Sequence, residues 1–310
     1  MPQPKSAPKE RYERQRKGRE LRRSLAAITP STSHSQLQSP LFATLPPELR
    51  FNIFQLVLCQ QRDHSRPIEF HSTRPLHRPG HMHYNIVDVR LLLTCRLVYY
   101  EARAIPLRST THHFRSHGGQ SWANNGDLWF HHVTKQSGAE LYHLHDNIMA
   151  PHHQDFSKFL LPHLLWRRIT WTVPLFSQHQ EINNIFQNLA NLQLPSSCQE
   201  VNLEFDTGDL ARDGLRIQDL IQDCQRIALN RIDGTQLCID PRYAIHYKWH
   251  GTRKARWALS GTSTMRKMLY HTTRLCWRAK VPRREYMSYD HLDCLQLNDC
   301  EDVIQESFPI

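Results

Sequence analysis

Residues 39–58 read SPLFATLPPELRFNIFQLVL, and the rest of the chain is organised around them. Pro46 and Pro47 suit a first helical turn, where a missing N–H costs no hydrogen bond. Glu48 follows in that turn, where the helix dipole favours a negative charge. Leu49, Ile53, Leu56 and Val57 then recur at helical spacing, with Arg50, Asn52 and Gln55 between them, so the pattern predicts a helix with one apolar face. A second stretch, LLLTCRLVYYEARAIPL at residues 91–107, repeats the theme. Ile86, Val89, Leu93, Leu97 and Tyr100 form a stripe at spacings of three and four, and Pro106 is expected to stop the helix. Neither helix is stable in water alone. The two are therefore expected to pack together and bury Leu49, Ile53, Leu93 and Leu97.

At these residues the sequence resembles the F-box and its relatives, most closely the uncharacterised fungal F-box-like families. Those families open with a Leu-Pro-Pro-Glu-Leu-Arg helix and carry a later Leu-Leu-x-Thr-Cys-Arg-x-x-Tyr-x-Glu-Ala helix. The matching residues are Leu45, Pro46, Pro47, Glu48, Leu49 and Arg50, then Leu92, Leu93, Thr94, Cys95, Arg96, Tyr99, Glu101 and Ala102. The resemblance covers about 75 of the 310 residues. It implies a helical docking module over residues 40–107 for a Skp-type adaptor, with Leu45 to Arg50, Arg96 and Tyr99 at the partner-binding surface. One departure is the Pro- and His-containing connection at 59–84, where an F-box joins its helices compactly. A structure with Leu49, Ile53, Leu93 and Leu97 facing solvent would remove the F-box-like reading entirely.

A chain of 310 residues holds one large domain or two modest ones. The mean hydropathy of −0.60 points to substantial polar length. No apolar run reaches the roughly 20 residues of a membrane span, and residues 1–30 lack the apolar core of a secretory signal. The expectation is an intracellular protein, nuclear or cytoplasmic, neither secreted nor membrane-bound. Its eight cysteines include no CxxC pair, which argues against a disulfide framework or a zinc ribbon. The net charge of +10 is uneven: +6 over residues 1–30, +10 over 251–284, −7 over 285–310, and +1 over the remainder.

Composition sets the expected boundaries. Residues 1–38 read as a disordered basic tail with a transient helix near 20–28, followed by the F-box-like module over 39–115. Residues 116–284 read as a mixed α/β domain and 285–310 as an acidic tail. Residues 108–114 look like the short strand that the fungal F-box-like families place behind the second helix, and Asn125-Gly126 marks a plausible hairpin turn. Strands are expected at 168–173, 201–205 (with Asn202 and Glu204 on a solvated face) and 243–249. Helices are expected from the stripes at 182–192, 217–228 and 265–276. The fold class is α+β: a helical pair followed by a mixed α/β layer. The arrangement resembles a degenerate leucine-rich-repeat plan, although no convincing internal period exists.

Of the 21 histidines, 16 lie between residues 64 and 179, often paired. His-x-His on a strand puts both rings on one face, a metal-binding arrangement, yet no carboxylate or cysteine stands at a recognised spacing. His291, Cys294 and Cys300 form a similarly loose group. No GxSxG, Walker A, GxGxxG or kinase signature occurs. The expectation is a non-enzymatic interaction protein without a cofactor, by resemblance a substrate adaptor of a cullin-type ubiquitin ligase. The alternative is a nuclear, nucleic-acid-associated protein. It would use residues 1–30 and the cluster Arg253, Lys254, Arg256, Arg266, Lys267, Arg274 and Arg278, with Trp257, Tyr270 and Trp277 stacking on bases. The bland reading of that cluster is neutralisation by the acidic tail next to it.

Overall fold

A computed structural model describes residues 8–67, 83–116, 133–148, 156–175, 187–208, 210–239, 245–254, 265–279 and 304–306. The chain divides into two compact units, one built from residues 1–59 and 87–106 and the other from 60–86 and 107–310. The connection between the two motifs therefore belongs to the second unit, and the division does not follow the boundary expected at residue 115.

The first unit is helical. α1 spans Pro8–Ala26, where the sequence suggested disorder with a transient helix near its end. Arg, Lys, Glu and Leu are good helix formers, and Arg16 and Glu20 pair one turn apart. A 3-10 turn, Pro30–Thr32, leads to α2 (Pro40–Ala43) and α3 (Pro47–Leu58). Pro46 caps α3 and Pro47 opens it, as the sequence predicts. The second motif is not one helix. It folds as a 3-10 turn, Arg90–Leu93, then α4 (Arg96–Ala102) and α5 (Ile105–Ser109). Cys95 ends the turn in an extended conformation and caps α4, its sulfur accepting from the Val98 amide. Pro106 lies in the first turn of α5 instead of ending a helix.

The core of this unit is Phe54, Leu58, Val98, Ala102 and Ile105, with Leu41, Phe42, Leu91, Leu92 and Cys95 packed against it. This corrects the expected interface. Leu49, Ile53 and Leu93 are exposed at 50%, 39% and 80%, and Leu97 is half-buried. The physical reason is that α3 is apolar round most of its circumference, so periodicity alone does not choose a face. Phe54 and Leu58 lie on the side where Ala102 permits close approach.

The second unit contains a two-stranded antiparallel pair, β1 (Gln61–Pro67) with β2 (His83–Ile86), and a ten-stranded mixed sheet. The sheet's spine is β3 (Thr111–Ser116), β4 (His143–Ile148), β5 (Arg168–Pro174) and β7 (Glu200–Thr207), mutually parallel and adjacent in chain order. The short helix α6 (Lys135–Gly138) precedes β4, and β6 (Gln193–Leu194) precedes β7. α7 (Leu210–Gln225) packs Ile217, Leu220 and Cys224 onto one face of the sheet. β8 (Leu229–Arg231), β9 (Gln236–Ile239), β10 (Ile245–Lys254), β11 (Met265–Ala279) and β12 (Ile304–Glu306) complete it.

The strands expected near 108–114, 168–173, 201–205 and 243–249 all form. The helix expected at 265–276 does not: those residues are β11, paired with β7 along one edge and with β10 and β9 along the other. Tyr270, Thr272, Thr273 and Trp277 favour a pleated strand, and the wide spacing of the methionines imitated a helical stripe. The hairpin expected at 125–126 and the first half of the helix expected at 182–192 lie outside the described residues. The overall class is mixed α+β, as expected.

Candidate functional site

Two places concentrate exposed or chemically active side chains, one in each unit. In the first unit, Arg50 lies at the centre. Its Nε and Nη2 donate to the two carboxylate oxygens of Glu101 at 3.0 and 2.8 Å, and Nη1 donates to the Leu45 carbonyl at 2.8 Å. Its guanidinium also covers the Phe42 ring at 5.2 Å. Arg50 thus fixes the Leu-Pro-Pro turn to α4, and it is not a free contact for a partner.

Turned away from the buried Phe54 and Leu58, α3 carries Leu49, Ile53, Leu56 and Val57. At 100° per residue they share one stripe, and they are 50%, 39%, 74% and 41% exposed. Pro46, Pro47 and Glu48 are exposed at its start, while Leu45 is half-buried. On α4, Arg96 is exposed and Tyr99 half-buried. Arg96 Nη1 reaches the Thr32 carbonyl at 3.4 Å. Burying a stripe of this kind is worth about 1.5–3 kcal/mol per large side chain, so it is costly to leave in water.

In the second unit, the parallel strands carry one apolar and one polar face. Ile169, Trp171, Val173, Val201, Leu203, Phe205, Leu275 and Trp277 make the apolar face. The alternate residues form polar rows across the sheet. Thr111, His143, Arg168 and Glu200 stand abreast, as do Asn147, Thr172 and Glu204, with Arg274 next on β11. Asn202 and Glu204, read from the sequence as solvated, are buried. Parallel strands are usually covered on both faces, and here polar side chains pair with one another across the strands.

His143 lies between the Thr111 and Thr170 hydroxyls, at 3.0 and 2.8 Å. His145 Nε2 lies 2.9 Å from the Thr172 hydroxyl, which donates to Glu204 at 2.8 Å. Arg274 grips Glu204 through Nε and Nη2 at 2.8 and 2.7 Å. Arg168 and Arg278 pair with Glu200 at 2.9 and 2.5 Å. Trp249 donates to Thr272, which donates to Asp206.

The electrostatics follow from this packing. Burial, aided by Arg168, holds the His143 imidazole well below its ordinary range. Burial also drops His112 to about 4. Burial alone would raise Glu200, but Arg168 and Arg278 outweigh it and keep the carboxyl ionised. Burial pushes the Cys198 and Cys276 thiols up to about 12, so neither is a ready nucleophile. Among the described residues no group of three or more His, Cys, Asp and Glu is arranged to hold a metal. His291, Cys294 and Cys300 lie outside the described residues.

The basic cluster divides. Arg274 and Arg278 are committed to Glu204 and Glu200, and Tyr270 and Trp277 are buried. These four are a correction to the nucleic-acid reading, which needed exposed cations and stackable rings. Each of these two arginines has a neutralising partner on β7. Arg253 and Lys254 lie on β10, opposite Arg266 and Met265 of β11, and Lys267 is opposite Thr252. Arg256 and Trp257 lie outside the described residues. The described part of the tail, β12, pairs with His246–Lys248 at the other end of β10.

Sequence reasoning named Arg50 and Glu101 as motif residues without pairing them. The polar rows have one signal in the sequence, the alternation of residues 168–174 and 200–207. No described helix is long and apolar enough to cross a membrane. No family model, curated protein or solved structure matches the chain.

Proposed function

We propose that the first unit is a protein-docking module, F-box-like in plan, whose partner is a Skp-type adaptor. The protein would then act as a non-enzymatic substrate adaptor of a cullin-type ubiquitin ligase. The observation that carries this reading is the exposed stripe Leu49, Ile53, Leu56 and Val57 on α3. Leu49, Ile53 and Leu93 are exposed, the outcome that counts against the F-box-like plan, and of the four residues expected in its core only Leu97 is half-buried. What supports it is that the two motifs are joined through Arg50 and Glu101, and that this joint leaves the stripe free. A second unit built on parallel strands in chain order is what a degenerate leucine-rich plan would need, and in this reading it holds the substrate.

The test is co-purification of a Skp-type adaptor with the full-length chain, with Leu56→Glu and Ile53→Glu variants, and with a protein lacking residues 40–107. Capture should be lost in the charged variants while their melting temperature stays within a few degrees of the parent. Equal capture by the deleted protein rules the reading out.

The second reading, nucleic-acid association, draws on one observation. Arg253 stands directly across from Arg266, with Lys254 and Lys267 beside them. Four cations at one end of two paired strands are a charge footprint suited to an anionic partner.

A further inference from the structure

We propose that the segment between α1 and α2 is a phosphorylation site, with Thr29 and Ser39 as acceptors for a proline-directed protein kinase. The inference does not depend on the docking reading. Of the 18 prolines in the chain, only Pro30 and Pro40 follow a serine or threonine, and both lie in this segment. A kinase cleft that leaves the amide after the acceptor without a partner penalises every residue except proline, which has no N–H. Thr29-Pro30 and Ser39-Pro40 are the chain's two matches to that requirement.

The backbone is suited to it. Thr29 has φ −132° and ψ 167°, and Ser39 has φ −93° and ψ 125°. Both are extended, as a peptide laid across a kinase cleft must be. No residue from 29 to 39 is buried. The Ser39 side chain makes no capping hydrogen bond to α2, so its hydroxyl can be taken without breaking one. Ser24 follows Arg22 and Arg23 but lies inside α1, its hydroxyl bonded to the Leu21 carbonyl. The helical backbone makes it the poorer acceptor.

In the transfer, the acceptor oxygen bonds to the γ-phosphorus of a nucleoside triphosphate. The bridging bond to the β-phosphate breaks, the nucleoside diphosphate leaves, and the hydroxyl proton passes to the kinase's base. Each site gains about −1.5 to −2 charges. The surroundings of Thr29 receive that charge well. Its Oγ1 lies 2.9 Å from the Ser31 hydroxyl and 3.2 Å from the Thr32 hydroxyl, and the Thr32 carbonyl already takes Arg96 Nη1. Phosphate on Thr29 therefore extends into the region of the Arg96 fork, which suits a phosphate bidentately. Arg96 thereby ties the modified turn to the start of α4.

The experiment treats the full-length chain with proline-directed kinases of two families and ATP, and maps the phosphate by mass spectrometry. A peptide of residues 25–43 serves as the control substrate. The expected result is phosphate on Thr29 and Ser39, falling to background in the Thr29→Ala/Ser39→Ala variant. Labelling of the peptide without the intact chain overturns the proposal, as does labelling of neither or labelling elsewhere alone. Phosphorus NMR titration then reads the second pKa of the Thr29 phosphate, which should be lower in the parent than in Arg96→Ala. Equal values overturn the assignment of Arg96.

Discussion

Arg50 and Glu101 meet in a two-point ion pair, although 51 residues separate them in the chain. Their side chains are 11% and 24% exposed. The pair is the hinge pin of the first unit, since Arg50 also holds the Leu45 carbonyl and the Phe42 ring. Removing one partner leaves the other half-desolvated. Arg50→Ala or Glu101→Ala should each cost on the order of 1–3 kcal/mol. The double substitution should cost clearly less than the sum. Urea denaturation of the four proteins checks this, and additive losses would deny the coupling. Arg50→Lys should not rescue fully, because an ammonium cannot make the fork.

The core of that unit makes a sharper prediction. Phe54→Ala and Leu58→Ala should each destabilise by about 2–5 kcal/mol, because both side chains are buried. Leu56→Ala and Leu93→Ala, at exposed positions, should stay within about 0.5 kcal/mol. The reverse ranking in thermal melts would restore the packing that the sequence pattern first suggested.

Why that pattern misled is instructive. The start of α3 was legible because Pro46, Pro47 and Glu48 each have a positional chemistry that no other element wants. The buried face was not, because both Leu49/Ile53 and Phe54/Leu58 satisfy helical spacing and only the partner's shape selects between them. The second motif looks like one long stripe because Ile86, Val89, Leu93, Leu97 and Tyr100 keep helical spacing, yet the extended backbone at Cys95 breaks the helix. In the second unit, alternation identified β7 and β10, but alternation cannot tell a polar face in water from one paired with arginines. Glu204 meets Arg274 of β11, 70 residues away, and Glu200 meets Arg168 of β5 and Arg278 of β11, separations beyond the reach of local reasoning. β11 itself was read as a helix from the spacing of Met265, Met268 and Leu269, and only its pairing on both edges decides for strand.

The buried histidines predict an acid limit. His112 and His143 are held below the ordinary imidazole range in the folded chain, so they bind fewer protons there than when unfolded. Stability is therefore full above the unfolded value near 6.5. It declines as pH falls from there through about 4, the folded value of His112. His143 faces Arg168, Arg274, His113 and His112, all of which oppose a positive charge. The urea midpoint should drop measurably between pH 7.5 and pH 5. His143→Gln should flatten that slope while lowering the midpoint at pH 7.5, since two threonine hydroxyls lose their shared partner. An unchanged slope would show that His143 is not a contributor.

The last prediction concerns charge. Residues 1–30 and 251–284 carry the basic excess and 285–310 an opposing acidity, but Arg274 and Arg278 are already spent on Glu204 and Glu200. Any anion binding by β10 and β11 must then come from the other end of the hairpin, where the register sets Arg253 opposite Arg266 with Lys254 and Lys267 next along their strands. Deleting the tail would also remove β12 and open an edge of β10. The cleaner change replaces Asp290, Asp293, Asp299, Glu301 and Asp302 with their amides and keeps Ile304–Glu306. Residues 1–30 are removed from every protein compared, so that their net charge of +6 does not contribute to the binding read. If the tail screens the hairpin, the amidated protein should gain affinity for single-stranded and duplex oligonucleotides in fluorescence polarisation. That gain should weaken steeply with salt, and replacing the four hairpin cations with alanine should reduce the logarithmic salt slope by roughly 3–4 on duplex DNA. Arg274→Ala should instead lower the melting temperature, as expected of a cation inside the sheet. Negligible binding by both the parent and the amidated protein would retire the nucleic-acid reading for this hairpin. Strong, salt-sensitive binding by the parent with its acids intact would show that the tail does not screen it.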